Sequence, residues 1–281
     1  MGTKDIAEKN LEAWNDVFAD IVNVLLFKGK QIIKENELEA DTKDSMFKVD
    51  GKIHEQERDV SKFWKNGEIR ISILGLENQT AVDKDMPLRV ISYDGASYKQ
   101  QLLDEKAKKR YPVTTIVLYF GTDTKWSTPK HLCECFNIPE ELKPFVSDYK
   151  INVFNIAWLS DKTINMFQSD FKFVAKYFQT IRFKKEYKGS NEVIRHVDAL
   201  LKMFSALTGD KSYEEVYNNG NFIEGGVTMD GFIEKFKNQV KEEIIRNLIE
   251  SNAGTLEQIA AWVKLPVKEV KEIAEKVPVK A

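Results

Sequence analysis

Glu57-Arg58-Asp59-Val60-Ser61-Lys62-Phe63-Trp64-Lys65-Asn66-Gly67-Glu68-Ile69-Arg70-Ile71-Ser72-Ile73-Leu74-Gly75-Leu76-Glu77-Asn78-Gln79 is the stretch on which the reading of this chain turns. Two strand-like runs, 57–64 and 68–79, are separated by Asn66-Gly67, a strong hairpin signal. Glu77 and Gln79 are two residues apart, so in a strand they point to one face. The place of Asp59 depends on the turn. A two-residue Asn66-Gly67 loop pairs Lys65 with Glu68 and sets Asp59 against Leu74, away from Glu77. A three-residue Lys65-Asn66-Gly67 loop, with Gly67 left-handed in a bulge, sets Asp59 against Ile73, on the side of Glu77 and Gln79. If the carboxylates converge, their hard oxygens suit Mg²⁺ or Mn²⁺ with positions left for water and phosphate. Gly75 removes a side chain nearby. Solvated acids at strand ends are the ordinary alternative.

Outward from the ribbon, residues 11–27 read as an amphipathic helix stopped near Gly29. Asp16, Asp20 and Asn23 form a polar stripe on it. Unpaired carboxylates facing a core are costly, so the stripe is expected to face water or a cation. Residues 30–56 are acidic and show no period. Residues 86–103 suit a helix opened by Met86-Pro87, and Lys106 to Arg110 a basic connector. Val113 to Phe120 is an apolar, β-branched run that suits a strand covered on both faces, and 151–159 reads as a shorter one. From 161 to 250 the period is helical, with breaks near Gly209 and at 218–226. Short helices follow at 255–263 and 267–276. The expected organisation is an α/β core over 1–160, a helical extension over 161–240 and a short helical tail over 241–281.

Composition excludes several classes. The chain has 281 residues, 42 cations against 44 acids and a net charge of −2, so it is no wholly basic binder. Two cysteines cannot build a disulfide scaffold or a four-cysteine zinc site. Three scattered histidines argue against a histidine-based hydrolase. No phosphate-cradling glycine loop is present. Neither a transmembrane run nor a secretory signal is evident, and a cytoplasmic location is expected.

Five ordered motifs carry a resemblance over roughly residues 14–160. They are Asn15-Asp16-Val17-Phe18-Ala19-Asp20; Arg58-Asp59-Val60; Leu76-Glu77-Asn78-Gln79-Thr80; Met86-Pro87-Leu88-Arg89-Val90-Ile91-Ser92-Tyr93-Asp94 with Tyr98-Lys99-Gln100-Gln101; and Tyr111-Pro112-Val113 through Gly121. Together they resemble the Rpn-type recombination-promoting nuclease and transposase family of the PD-(D/E)xK superfamily. The resemblance implies a restriction-endonuclease-like mixed sheet flanked by helices and Mg²⁺- or Mn²⁺-dependent DNA cleavage in recombination or on a mobile element. It implies that Asp59 and Glu77 bind the metal, that Asp16 adds a further oxygen, and that Gln79 orients the water where most of the superfamily carries lysine. Arg89 or Gln101 would contact phosphate, unless Arg89 and Tyr93 anchor their helix internally. The alternative is a non-catalytic DNA-binding or interaction protein on a degenerate nuclease fold.

A DNA partner calls for cations opposite phosphates. Lys108 and Lys109 in the connector are candidates, as are Lys184 and Lys185 in a run where cations alternate with Phe171, Phe173, Tyr177, Phe178, Phe183 and Tyr187. The plainer reading of that run is a helix with a solvated lysine face and an aromatic core face. Only 7 of the 42 cations are arginine, which leans towards contacts carrying little sequence information. The tail resembles a helix-turn-helix, with Lys264 where glycine is usual. It could bind DNA, dock on the core or pair with another protomer. His131, Cys133 and Cys135 lack a fourth zinc ligand and read as ordinary side chains.

Overall fold

The computed structural model describes residues 11–40, 47–49, 52–54, 60–74, 81–104, 109–210, 212–213 and 226–275. The chain divides into two compact units, one of Met1–Tyr187 with Arg195–Gly209 and one of Lys188–Ile194 with Asp210–Ala281.

In the first unit, a 3₁₀ turn at Leu11–Ala13 leads into α1, Asn15–Leu25. Val17, Phe18, Ile21 and Val22 are fully buried, the apolar face the sequence promised. Gly29 ends the segment in the left-handed region (φ 86°), where its N–H donates to the Asn23 carbonyl at 2.9 Å. The acidic stretch after it is not wholly irregular: it contributes β1 (Leu38–Ala40), β2 (Phe47–Val49) and β3 (Lys52–His54). Three residues are too few for alternation to register. β1 pairs antiparallel with β4, Val60–Trp64, while β2 and β3 pair with each other.

β4 and β5 (Ile69–Leu74) form the expected ribbon, with Val60 opposite Ile73 and Trp64 opposite Ile69. The turn is Lys65–Glu68, closed by the Glu68 N–H on the Lys65 carbonyl at 3.2 Å. The left-handed residue is Glu68 (φ 45°) rather than Gly67. Gly67 is needed for another reason: a Cβ there would lie 2.1 Å from the Trp64 ring. The pairing keeps the register of the two-residue loop, in which position 59 counts opposite Leu74 and not Ile73.

After the ribbon come α2 (Met86–Leu103), β6 (Val113–Tyr119) and β7 (Asn152–Asn155). The sheet order is β1-β4-β5-β6-β7, antiparallel from β1 to β5 and parallel from β5 to β7. This is the mixed sheet flanked by helices that was expected. β6 lies between two parallel partners and is buried apart from Thr114, which explains its unbroken apolar run. Met86, Val90 and Tyr93 of α2 pack with Leu74, Val117, Tyr119, Trp126 and Ile151 on one face.

The short α3 (Asp161–Ile164), α4 (Phe171–Arg182) and α5 (Val197–Thr208) also belong to this unit. The division expected at residue 160 therefore does not coincide with the compact units. Phe120, just past β6, has its ring centre 5.0 Å from that of Phe178 and 6.5 Å from that of Phe171. The aromatics within α4 thus serve the core, while Lys176 faces water and pairs with Asp161 at 2.8 Å.

The second unit contains α6 (Met229–Glu250), α7 (Leu256–Val263) and α8 (Val267–Ala274). They share a core of Ile245, Ile259, Ala260, Val270 and Ile273. Thr255 caps α7 reciprocally with Gln258. A helix-turn-helix with lysine at 264 needs either a left-handed lysine or a different path, and Lys264 takes the left-handed conformation (φ 56°, ψ 45°). The exposed positions of α8 include Glu269 and Glu272 beside Lys268 and Lys271, a mixed face with no cationic surplus. Among the described residues, no helix is long and apolar enough to cross a membrane.

A left-handed lysine is strained by roughly 1–2 kcal/mol relative to glycine's freedom, and glycine returns part of that as unfolded-chain entropy. Lys264→Gly is therefore expected to stabilise the protein by about 0.5–1 kcal/mol in urea denaturation. A destabilisation would show that the Lys264 side chain does more than occupy the turn.

Candidate active site

The ribbon delivers two chain ends to one place. Val60 begins β4 directly opposite Ile73, and β5 leaves the described residues after Leu74. Asp59 is covalently joined to Val60, and Glu77 follows Leu74 by three residues. At about 3.3–3.6 Å of reach per residue, both acids are tethered to the same end of the ribbon. Asp59, Glu77 and Gln79 themselves lie outside the described residues.

A buried polar seam underlies that end. Arg70 is 1% exposed, and its guanidinium donates to Ser61 Oγ at 2.9 Å and Ser97 Oγ at 3.0 Å. Asp94, 3% exposed, accepts from Thr115 Oγ1 at 2.6 Å and from the Tyr149 hydroxyl. Burial, then the hydrogen bond and charge of Asp94, push the Tyr149 hydroxyl well above its ordinary pKa. A small recess bounded by Val60, Ser72, Leu74, Tyr93, Asp94, Ser97 and Thr115 opens beside the ribbon's end. Asp94 and Tyr93 of the α2 motif are thus framework groups that hold α2 against the sheet.

Of the α1 acids, Asp20 meets neither of the environments expected for it, while Asp16 meets cationic side chains. Asp20 is buried and accepts from the Gln168 and Ser169 N–H groups, both at 2.8 Å, and from Ser169 Oγ at 2.7 Å. Burial raises its pKa despite these donors, and its Oδ1 has no hydrogen-bond partner among the described residues. Asn23 receives the N–H groups of Ile32 and Ile33 and donates to the Ile33 carbonyl. The stripe therefore ties down chain segments, replacing water and cation with backbone donors.

Asp16 is held by His196, whose Nε2 lies 3.1 Å and 3.0 Å from its two oxygens, with Arg195 Nη1 at 3.9 Å. Burial would raise Asp16, but the hydrogen bond and charge of His196 outweigh it and hold the carboxyl below its usual range. The His196 ring stacks on Trp14 at 4.1 Å between centres. Asp170, its own pKa raised by burial, accepts the Arg195 and His196 N–H groups. From the ribbon, Lys62 reaches the same helix end, donating to the Ala13 carbonyl at 2.6 Å and to Asn15 Oδ1. Asp16 is thus surrounded by cations and donors, which does not suit a direct metal ligand. Hard carboxylate donors for a divalent ion remain in Asp59 and Glu77. Among the described residues, no three His, Cys, Asp or Glu side chains group as a metal site.

The phosphate-contact candidates separate. Gln101 is 5% exposed and spends both amide atoms on the Tyr111 backbone, at 2.9 Å and 3.1 Å, so it anchors α2 to the start of β6 and cannot reach a phosphate as well. Arg89 donates to Asp83 at 2.9 Å from a half-exposed position. Lys109 is exposed and lies 3.4 Å from Glu68. Lys108 lies outside the described residues. Lys184 and Lys185 are exposed at the end of α4. His131 Nδ1 pairs with Asp148 at 2.6 Å and the Cys133 N–H donates to the same carboxylate, while Cys135 Sγ donates to the Lys84 carbonyl at 3.4 Å.

A family model described as "Putative transposase, YhgA-like" matches residues 35–210, more than half of the chain. The chain belongs to this family. It is the Rpn- and PD-(D/E)xK-type family anticipated from the motifs. The match ends within one residue of Gly209, where the first compact unit also ends. It contains the ribbon, α2, β6, α4 and His196, and leaves out α1 with Asp16. No curated protein and no solved structure matches the chain.

Sequence reasoning missed His196, Asp170 and Lys62. His196 is 180 residues from Asp16, so no spacing rule joins them. Lys62 did carry a signal, as a cation flanked by Val60, Phe63 and Trp64 in a strand. Burial lowers its pKa from 10.5 to about 8, against the charge of Asp16. Between those values the unfolded chain binds the proton more than the folded one, so this group makes stability rise with pH across the window. The difference in unfolding free energy between wild type and Lys62→Met, read by urea denaturation, is expected to climb from pH 8 to 10.5. A pH-independent difference would contradict the burial of this charge.

Proposed function

We propose that this chain is a divalent-metal-dependent DNA endonuclease serving recombination or a mobile element. The observation that carries the reading is the family match over 35–210, which spans Asp59, Glu77 and Gln79. The ribbon supports it by bringing the attachment points of both acids to one end. A regular ribbon in the observed register would turn Asp59 and Glu77 to opposite faces. A common face would need one extra residue in the stretch that joins Leu74 to Glu77.

Asp59 and Glu77 would hold Mg²⁺ or Mn²⁺, which when bound supplies positive charge and Lewis acidity to the scissile phosphodiester. Gln79 orients the attacking water through its amide, without the full cation that lysine would bring. Asp16, engaged by His196, acts by fixing the start of α1 to the start of α5 rather than as a ligand. The second reading, a DNA-binding or interaction protein without catalysis, is favoured by that engagement and by glutamine at the lysine position.

Plasmid DNA incubated with Mg²⁺ or Mn²⁺ is expected to be nicked or cut by wild type, and about 100-fold or more slowly by Asp59→Ala and Glu77→Ala, the scale of losing a principal electrostatic contributor. Equal activity in all three would remove the assignment, and wild-type binding without cutting would select the second reading. A metal that binds only the folded chain also stabilises it: at ten times its Kd the gain is about 1.4 kcal/mol. Millimolar Mn²⁺ is expected to raise the melting temperature of wild type and not that of Glu77→Ala.

A further inference from the structure

The end of α4 carries a layered stack that the core does not use. The Arg182 guanidinium carbon lies 4.5 Å from the Trp158 ring centre and 4.0 Å from that of Phe183. Both inner layers are fixed. Trp158 Nε1 donates to the Gly121 carbonyl at 3.0 Å, and Arg182 Nε donates to the Ala157 carbonyl at 2.8 Å. Phe183, by contrast, is 52% exposed, although five aromatics of the same segment and of β6's end are packed inward. Burial of a phenylalanine is strongly favourable, so a ring left in water on a rigid base has the form of an open platform.

The backbone around it is built to hold cations there. The Lys184 N–H donates to the Ile181 carbonyl at 2.7 Å and the Lys185 N–H to the Thr180 carbonyl at 3.2 Å, a helix-ending pair that sets Lys184 in the left-handed region at φ 54°. Glycine usually fills that position; here it is a lysine. Lys185 Nζ lies 5.7 Å from the Phe183 ring centre. Lys184 and Lys185 are exposed, and Asp161, whose carboxyl feels the charge of Lys185, is held by Lys176 at 2.8 Å. Segment 182–185 is Arg-Phe-Lys-Lys, with Glu186 the next charge.

We infer that Phe183, on its Arg182–Trp158 base, is a stacking platform for an unpaired base, with Lys184 and Lys185 receiving the adjoining phosphates. The substrate is then DNA with a single-stranded portion. In intact duplex the base faces are covered by their neighbours, whereas every unpaired base offers a π-face and needs no sequence-specific hydrogen bond. The scarcity of arginine elsewhere agrees with such sequence-indifferent binding. This deepens the nuclease reading by naming the form of its DNA, and rests on it only for the choice of DNA as ligand.

The test is fluorescence anisotropy of the full chain in EDTA, where cutting plays no part, with a short labelled oligonucleotide offered as a single strand and as a duplex. Wild type is expected to bind the single strand more tightly. Phe183→Ala is expected to weaken single-strand binding about five-fold or more while leaving duplex binding unchanged, and Phe183→Tyr to restore it. Lys184→Gln with Lys185→Gln is expected to lower the salt-dependence slope by about 1.4. Single-strand binding unchanged in Phe183→Ala, or an equal loss on both ligands, overturns the platform. Plasmid cutting with an inert Phe183→Ala would sink the platform and spare the nuclease; a working platform without cutting would do the reverse.

Discussion

A buried guanidinium pins the ribbon to the helix that follows it. Arg70 sits in β5 with almost no contact with water and binds Ser61 of β4 and Ser97 of α2. A charge so placed is tolerated only where donors meet acceptors, and removing one partner leaves an expensive orphan. That requirement fixes how β4, β5 and α2 can sit together. Through Ser61 it reaches towards the open end of the ribbon, beside the recess that Asp94, Ser97 and Thr115 help to line. Val60 and Leu74, to which the two acids of the proposed site are tethered, lie at that end.

The acidic stripe of α1 illustrates how a carboxylate pattern can be spent on architecture. Asp20 gathers backbone N–H groups ahead of α4, and Asp16 holds His196 at the start of α5. A carboxylate receiving several donors is the usual way to bury such a group. Asp20 sits just short of that, with one oxygen unpartnered among the described residues and its pKa raised. The consequence is that α1, outside the family match, is bound tightly to helices inside it. The compact unit is therefore larger than the stretch that the family model matches.

Charge follows a similar division. The sequence around α4 suits an aromatic core face more plainly than a nucleic-acid surface. The helix assigns Phe171, Phe173 and Phe178 to the core, and only Phe183, past its end, to the outside. The tail shows the opposite outcome: a helix-turn-helix path is present, complete with a left-handed lysine, but the exposed face of α8 mixes acid and base. A reader of phosphates needs a surplus of cations, and the surplus lies at residues 182–185 instead.

Local rules made much of the fold legible. The Asn-Gly turn, the period of 11–27, the Pro-opened helix at 86–103 and the apolar run at 113–120 each depend on neighbours within a few residues, and each element formed where its pattern lay. The mixed sheet and the family followed from their order. The three-residue strands were too short to show a period, and the extent of the first unit was set by Phe120 meeting Phe171 and Phe178 across fifty residues of chain. The fates of Asp16, Asp20 and Gln101 were likewise illegible, because their partners are backbone groups or a histidine brought near only by packing. Sequence by itself determined which elements exist and which acids could do chemistry. Tertiary structure alone decided which polar side chains were already taken, because hydrogen-bond partners are assigned in space and burial leaves none of them free to wait for a ligand.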